Sequence, residues 1–246
     1  GRELAVQLNA QGCDLFLCDI NEERLSETTS LLSSDRGAID CKIVDCGVRV
    51  DITEWADSIS QRCSHVDALF NNAGVAYGAL FEESTDENYE WLMNINFWGV
   101  VWSSRAFLPL LKAAPVGHLV NVSSIFGMVG ISTQSAYNAS KFAVRGFTEA
   151  LQAEYRGSQL KISCVHPGGI ATNIARRART DGATVAGSSE ERDAQFRRLA
   201  KTTPATAASV ILKGAAKGKP RILIGLDAWI AYLLTFLLPT RYHAIT

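Results

Sequence analysis

The chain has 246 residues, 47% hydrophobic and 20% charged, an ordinary balance for a soluble globular protein that can bury a sizeable core. A net charge of −1 gives a polyanion no electrostatic hold, so nucleic acid is disfavoured as a partner. No run is long enough to span a bilayer and none reads as a signal peptide, a signal or anchor upstream of Gly1 being left open; the cysteines at 13, 18, 41, 46, 63 and 164 form neither a C-x-x-C pair nor a zinc-like set with histidine, which disfavours metal and disulfides and favours a reducing, cytoplasmic setting.

A helix is under way from the second residue, with Ala5, Val6 and Leu8 at helical spacing, until Gly12 stops the pattern. The apolar run Leu15-Phe16-Leu17-Cys18 then reads as a strand ending on Asp19. Asn21 is placed to cap a second helix through about residue 33, with Glu22 and Glu23 where a helix start favours negative charge. A strand from Ile39 to Val44, a helix near 50–62 and a strand at 66–70 follow. One long helix is expected from the cap Thr85 through 114, then a strand at 118–124 and a helix over 135–157. Leu160 to Val165 is a strand broken by His-Pro-Gly-Gly, and the polar, Arg-rich stretch from 171 to about 203, with Gly182 and Gly187, reads as a mobile flap on the substrate side. A helix opening on Pro204, a last strand RILIG and an apolar helix over 227–238 complete the chain. Strands alternating with helices, with no linker and no repeat, predict one domain over 1–246 built on a doubly wound parallel sheet in three αβα layers.

Four signals fall where such a sheet exposes its strand ends to a ligand. Asp19 can accept hydrogen bonds from both hydroxyls of a ribose and would repel a 2′-phosphate; an acidic residue after a strand is also a common turn or cap. In LFNNAG, Ala73 and Gly74 leave no bulk against a flat ligand and the Asn72 amide can pin adjacent strands, although an Asn/Gly turn explains the tetrapeptide alone. Tyr137 and Lys141 lie four apart on one helix face, with Ser124 thirteen residues upstream at a strand end. A neighbouring ammonium lowers a phenol pKa, so Tyr137 can exchange a proton with a substrate oxygen while Ser124 donates to the same atom. Tyr-x-x-x-Lys is also a common helix-surface pair. Finally, His166-Pro167-Gly168-Gly169-Ile170-Ala171-Thr172 ends a strand; Pro167 and Gly168 keep the loop near a ligand, Thr172 has a hydroxyl for a carboxamide or phosphate, and His166 reads as structural. His65, His118 and His243 have no partner in the sequence.

Together these residues resemble the short-chain dehydrogenase/reductase family in its single-domain form, along nearly the whole chain and in the family's order. The resemblance implies a Rossmann fold, a nicotinamide cofactor and alcohol dehydrogenase or ketone reductase activity. By position it makes Tyr137 the acid/base, Lys141 its pKa-lowering partner and ribose anchor, Ser124 the substrate-orienting hydroxyl in preference to Ser123, and Asn96, not Asn94, the holder of a relay water. Asp45 and Cys46 would lie beside adenine in preference to Asp51 and Ile52. Asn72, Ala73 and Gly74 would follow the adenosine side, and Pro167, Gly168 and Thr172 would lie near nicotinamide. Asp19 implies NAD, with NADP not excluded. Family chains begin with a strand and a T-G-x-x-x-G-x-G turn, so Gly1 resembles the turn's last glycine; the first strand and most of that loop are then missing, which predicts open sheet edges, poor folding and weak cofactor binding for a polypeptide starting at Gly1.

The substrate implied is a secondary alcohol or ketone with apolar bulk, lined by Phe126, Met128, Val129 and Ile131, for which core packing is the alternative. Arg176, Arg177 and Arg179 are either contacts for an anionic substrate or plain basic surface. The apolar stretch 229–238 is too short to cross a bilayer; it would close over the pocket, join a subunit interface or touch a membrane surface, in that order. A homodimer or homotetramer is expected through the helices carrying Trp91, Trp98, Trp102 and Tyr137. The competing function is a catalytically silent nucleotide sensor or scaffold on the same fold, and an epimerase or dehydratase is a third.

Overall fold

The computed structural model describes residues 1–182, 188, 190, 191, 194, 196, 198 and 200–242; Gly187, His243 and part of the expected flap lie outside them. Along the chain run α1 (Arg2–Asn9), β1 (Leu15–Asp19), α2 (Glu22–Thr29), β2 (Ile39–Ile43), α3 (Arg49–Ser60), β3 (Ala68–Asn71), β4 (Tyr77–Gly78), α4 (Asp86–Met93), α5 (Gly99–Ala113), β5 (Gly117–Val122), α6 (Ser135–Glu154), β6 (Leu160–Pro167), β7 (Arg179–Thr180), α7 (Pro204–Ala216), β8 (Arg221–Ile224) and α8 (Leu226–Leu237). Helix starts follow local chemistry. Asn21 Oδ1 accepts from the Arg24 N–H, and Thr85 and Thr203 hydroxyls accept from Asn88 and Thr206.

All the main strand pairs are parallel, as alternating strands and helices require. β3, β5, β6 and β8 form one ladder in that order, and β1 pairs with β2 in a second; among the described residues no ladder joins β1 to β3. One apolar layer packs Ile52, Trp55, Ile59, Phe107 and Leu111 from α3 and α5 against Leu69, Leu119 and Ile162. On the other face Leu4 of α1 and Ala207, Ala208 and Ile211 of α7 cover Val120, Val165 and Ile222. Helices on both faces of a parallel sheet give the expected Rossmann-type α/β architecture.

Two expectations change in detail. The single helix expected over 85–114 is interrupted by a π-helical turn, Asn94–Trp98, between α4 and α5. The described start of the flap is not loose: β7 pairs with β4, and Asp181 accepts hydrogen bonds from Tyr77 Oη at 2.7 Å and Asn88 Nδ2 at 2.8 Å. The Arg179 guanidinium stacks on Trp91 at 3.7 Å and donates to Asn88, so it belongs to this anchor rather than to free basic surface.

Candidate active site

Parallel strands deliver their C-terminal ends to one edge, and the loops there carry the candidate residues. β3 ends on Asn71, whose buried amide donates to Asn121 Oδ1 at 2.8 Å and to Ser104 Oγ, while its Oδ1 accepts from Ser103 at 2.7 Å. Asn121 in turn donates to Thr148 at 3.1 Å, so a closed polar chain ties β3 to β5, α5 and α6. The strand-pinning amide is therefore Asn71 and not Asn72, which is exposed beside Gly1 with its Nδ2 3.3 Å from where a Gly1 Cβ would stand. Alternation explains the swap, because adjacent strand residues face opposite sides.

α6 brings Tyr137 and Lys141, 8% and 4% exposed, onto the face that turns to β5. Lys141 Nζ donates to the Val122 carbonyl at 3.1 Å and lies 5.7 Å from the centre of the Tyr137 ring. Ser124 opens a 3-10 turn just past β5, its Oγ accepting from the Phe126 N–H at 3.1 Å. Ser123 is engaged elsewhere, donating to the Lys141 carbonyl at 2.8 Å. The sign of the phenol shift differs from expectation. Burial pushes Tyr137 up to about 12, with Ser124 pulling the other way, and the ammonium is not among the causes. Burial lowers Lys141 to about 8. In the ligand-free protein desolvation outweighs the Tyr–Lys pairing.

The π-turn turns Asn96, fully buried, toward the loop after β3. Asn96 Oδ1 accepts from the Val75 N–H at 2.8 Å, and its Nδ2 donates to the Val75 carbonyl at 2.9 Å and to Ser140 Oγ at 3.2 Å. Its side chain thus holds loop and helix together. A Cβ on Gly74 would stand 3.3 Å from Asn96 Oδ1 and 3.4 Å from Lys141 Nζ, so the glycine lies directly against both side chains. Asn138, passed over in the sequence, fixes the opposite wall: it donates to the carbonyls of Phe126 and Val129 and accepts from Ile131 N.

His166 is buried, its Nδ1 3.0 Å from the Ser124 carbonyl, and burial depresses its pKa to about 4. It is a neutral strut behind Ser124, as expected. The loop beyond it is held by a residue that carried no sequence signal. Asp227 Oδ2 accepts from the Gly169 N–H at 2.6 Å, and a Cβ on Gly168 would collide with the same carboxylate. Thr172 closes the loop through its N–H to the Ile170 carbonyl at 2.7 Å. At the other end of the edge, Asp19 Oδ1 accepts from the Asn21 N–H at 2.9 Å. Asp45 Oδ1 caps Gly47 N at 2.8 Å while its own N–H donates to Asp51, so the two candidate aspartates belong to one turn. Cys46, Asn72 and Ala73 line a common cavity with Cys18. Met128 and Val129 are buried against Ala231 of α8, with Phe126, Ile131 and Tyr232 half-buried around them, so these residues pack a small apolar core beside the 3-10 turn that follows Ser124.

Residues present fit an extended dinucleotide: a carboxylate at one end of the strand edge, side-chain-free backbone at Gly74 and Gly168, and a buried amine beside a buried phenol. No cluster of His, Cys, Asp and Glu able to hold a metal exists among the described residues.

A family model for short chain dehydrogenases matches residues 1–183. SadH of Mycobacterium tuberculosis, named as an oxidoreductase, is 38% identical over 100% of this chain and 89% of its own length. A 3-ketodihydrosphingosine reductase of Bacteroides thetaiotaomicron is 37% identical over 58% of this chain and 53% of its own. Among solved structures, a short chain dehydrogenase/reductase from Burkholderia phymatum in complex with NAD superposes with a TM-score of 0.85 at 27% identity, covering 100% of this chain and 90% of that one.

Proposed function

The chain belongs to the short-chain dehydrogenase family and is an NAD(P)-dependent oxidoreductase, and from that premise we propose that it interconverts an apolar secondary alcohol and its ketone, with Tyr137 as the acid/base. The observation that carries the reading is the burial of Tyr137 and Lys141 one helical turn apart, with Ser124 acting on the same phenol.

The bound nicotinamide supplies the carbon that takes or gives hydride. Asp19 and Asp45 would hold the adenosine end, with Cys46, Asn72 and Ala73 beside it and Gly1 at the phosphates. Pro167, Gly168 and Thr172 would hold the nicotinamide end. A carboxylate at Asp19, followed by Ile20, favours NAD over NADP. Tyr137, protonated at neutral pH in the ligand-free site, is set up to donate its proton to a ketone oxygen. Ser124 places that oxygen by a second hydrogen bond, and Lys141 supplies positive charge next to the phenol once the proton has left. The apolar cluster of Met128, Val129 and Ala231, next in the chain to Ser124, would flank a substrate on this side and keep water from it.

That apolar cluster favours a substrate with a hydrocarbon body, and the sphingoid ketone named for the Bacteroides relative is of this kind. We extend the reading to the whole chain as one domain, to a homo-oligomer through α5 and α6, and to peripheral membrane contact through 229–238, where Trp229, Leu233 and Phe236 are exposed. No helix among the described residues is long and apolar enough to cross a membrane. A panel of alcohols and ketones, followed by NADH and NADPH absorbance, tests the proposal. Turnover of an apolar ketone supports it, and binding of NADH without turnover of any compound favours a silent sensor.

A further inference from the structure

Two cysteines stand apart from the others. Cys18 on β1 and Cys46, three residues past β2, are both half-buried and reduced, and both line a cavity of about 70 Å³ with Trp55, Asn72 and Ala73. Within it the two thiols interact with each other. None of the other four is so placed: Cys41 meets the Thr29 hydroxyl, Cys63 the Ile59 carbonyl, Cys13 lies before β1 and Cys164 is buried in β6. A disulfide needs its cysteines on neighbouring segments, which β1 and the turn after its partner β2 provide.

We propose that Cys18 and Cys46 are an oxidisable dithiol at the adenosine end of the cleft, closed by a peroxide into a disulfide that weakens dinucleotide binding; the second half rests on the NAD(P) reading of that cleft. Cys46 lies in the turn past β2 and Cys18 inside strand β1, so Cys46 is taken as the nucleophile and Cys18 as the resolving thiol. The Cys46 thiolate attacks one peroxide oxygen, and the O–O bond breaks. Sulfenic acid forms on Cys46, and the other oxygen leaves as alkoxide or hydroxide, taking up a proton. The Cys18 sulfur then displaces that hydroxyl from Cys46, the S–S bond forms, and the hydroxyl leaves with the Cys18 proton as water. In sum two thiols lose two hydrogens and two electrons, and the peroxide becomes an alcohol (or water) and water.

The consequence for binding follows from position. Cys46 adjoins Asp45, and its carbonyl is seated so closely on α5 that a Cβ on Gly99 would approach it to 2.5 Å. A bond that draws the Cys46 side chain onto β1 must therefore be absorbed by the Asp45–Gly47 turn rather than by α5. That turn is the one assigned to adenine.

The test treats the purified protein with hydrogen peroxide and maps its peptides without reduction, measuring NADH binding by fluorescence before oxidation, after it, and after dithiothreitol. A Cys18–Cys46 linked peptide, with affinity weakened about fivefold or more and restored by dithiothreitol, is expected. Cys18→Ser should bind NADH normally and lose the peroxide response; Cys46→Ala should lose the peroxide response too, its own NADH affinity being the same with and without peroxide. Emission of Trp55, which lines the same cavity as both cysteines, gives a readout independent of the cofactor, with Trp55→Phe as the control. Linkage to another cysteine, or over-oxidation of Cys46 with no linked peptide, overturns the dithiol. A linked peptide with unchanged NADH affinity overturns the effect on binding. Reduced protein that binds no NADH refutes the reading of the cleft, and the linked peptide and Trp55 signal still decide the dithiol.

Discussion

The carboxylate of Asp227, in the first turn of α8, accepts a hydrogen bond from the Gly169 N–H at 2.6 Å, so a helix near the end of the chain fixes the loop assigned to nicotinamide. Its other oxygen takes the Ala228 N–H at 3.0 Å, which joins loop and helix start through one side chain. Asp227→Ala should free the Pro167–Thr172 loop and raise KM for the dinucleotide about tenfold, with a smaller effect on kcat, as expected for a lost charge-assisted bond at a partly exposed site. Asp227→Asn keeps an acceptor oxygen and should recover most of the loss. Steady-state kinetics of the two variants decide it; equal KM values for all three proteins would show that the bond does not position the loop.

Tyr137→Phe removes the transferable proton and leaves the ring that packs edge-on against Phe126 at 6.0 Å. Turnover should fall by about 10²–10⁴, the usual worth of a positioned acid/base, with NADH binding and melting temperature little changed. An ultraviolet titration compared with that of Tyr137→Phe should show the Tyr137 phenol failing to ionise until about pH 12, while Tyr77, also raised by burial, ionises late in both proteins. Turnover that survives the substitution would assign the proton transfer to another group.

Asn96→Ala would leave the Val75 N–H and carbonyl without their partners and remove the contact to Ser140, at a site with no solvent access. Losses of this kind cost about 2–4 kcal/mol in total. Melting temperature and activity should therefore fall together, and Asn96→Asp, which keeps only the acceptor, should lie between. A stable variant with lost activity would instead point to a direct role for Asn96 in catalysis.

What could be seen in the sequence divides along a physical line. Tyr137, Lys141 and Ser124 were legible because a four-residue step on a helix and a strand end are local facts. The fold was legible for the same reason, since strands and helices alternate with clear punctuation. Asn71 was missed in favour of Asn72 because one residue of register reverses a strand's faces, and register is set by the neighbouring strand. Asp227 was missed because an acidic residue starting a helix is normally explained by the helix dipole alone, and its partner is 58 positions away. The direction of the Tyr137 shift was unreadable for a deeper reason: the competing effects are burial and charge, and only the packed structure says how dry the phenol is.

His166 gives the acid limb of stability its expected form. Its pKa is about 4 in the folded protein against 6.5 as an ordinary histidine, because it is enclosed and its charged form is desolvated. Between those values the unfolded chain binds a proton that the folded chain does not, so stability is complete above about pH 6.5 and declines as pH falls toward 4. The decline attributable to this one group is about 3 kcal/mol. His118, lowered below 6.5 by burial as well, adds to the same window, and other shifted groups act elsewhere. Lys141, lowered to about 8 from 10.5, makes stability rise only above pH 8. Glu149, held below its ordinary range by Arg145 and Arg221 against the opposing effect of burial, weakens the fold only as pH drops through the carboxylate range. Melting temperatures taken from pH 7 to 4.5 should thus slope in the native protein and slope less steeply in His166→Asn, which cannot titrate at that site, the remaining slope including that of His118. The comparison is of slopes, because the substitution carries its own cost at every pH. Equal slopes would mean that His166 takes up its proton without disturbing the strand end that supports Ser124.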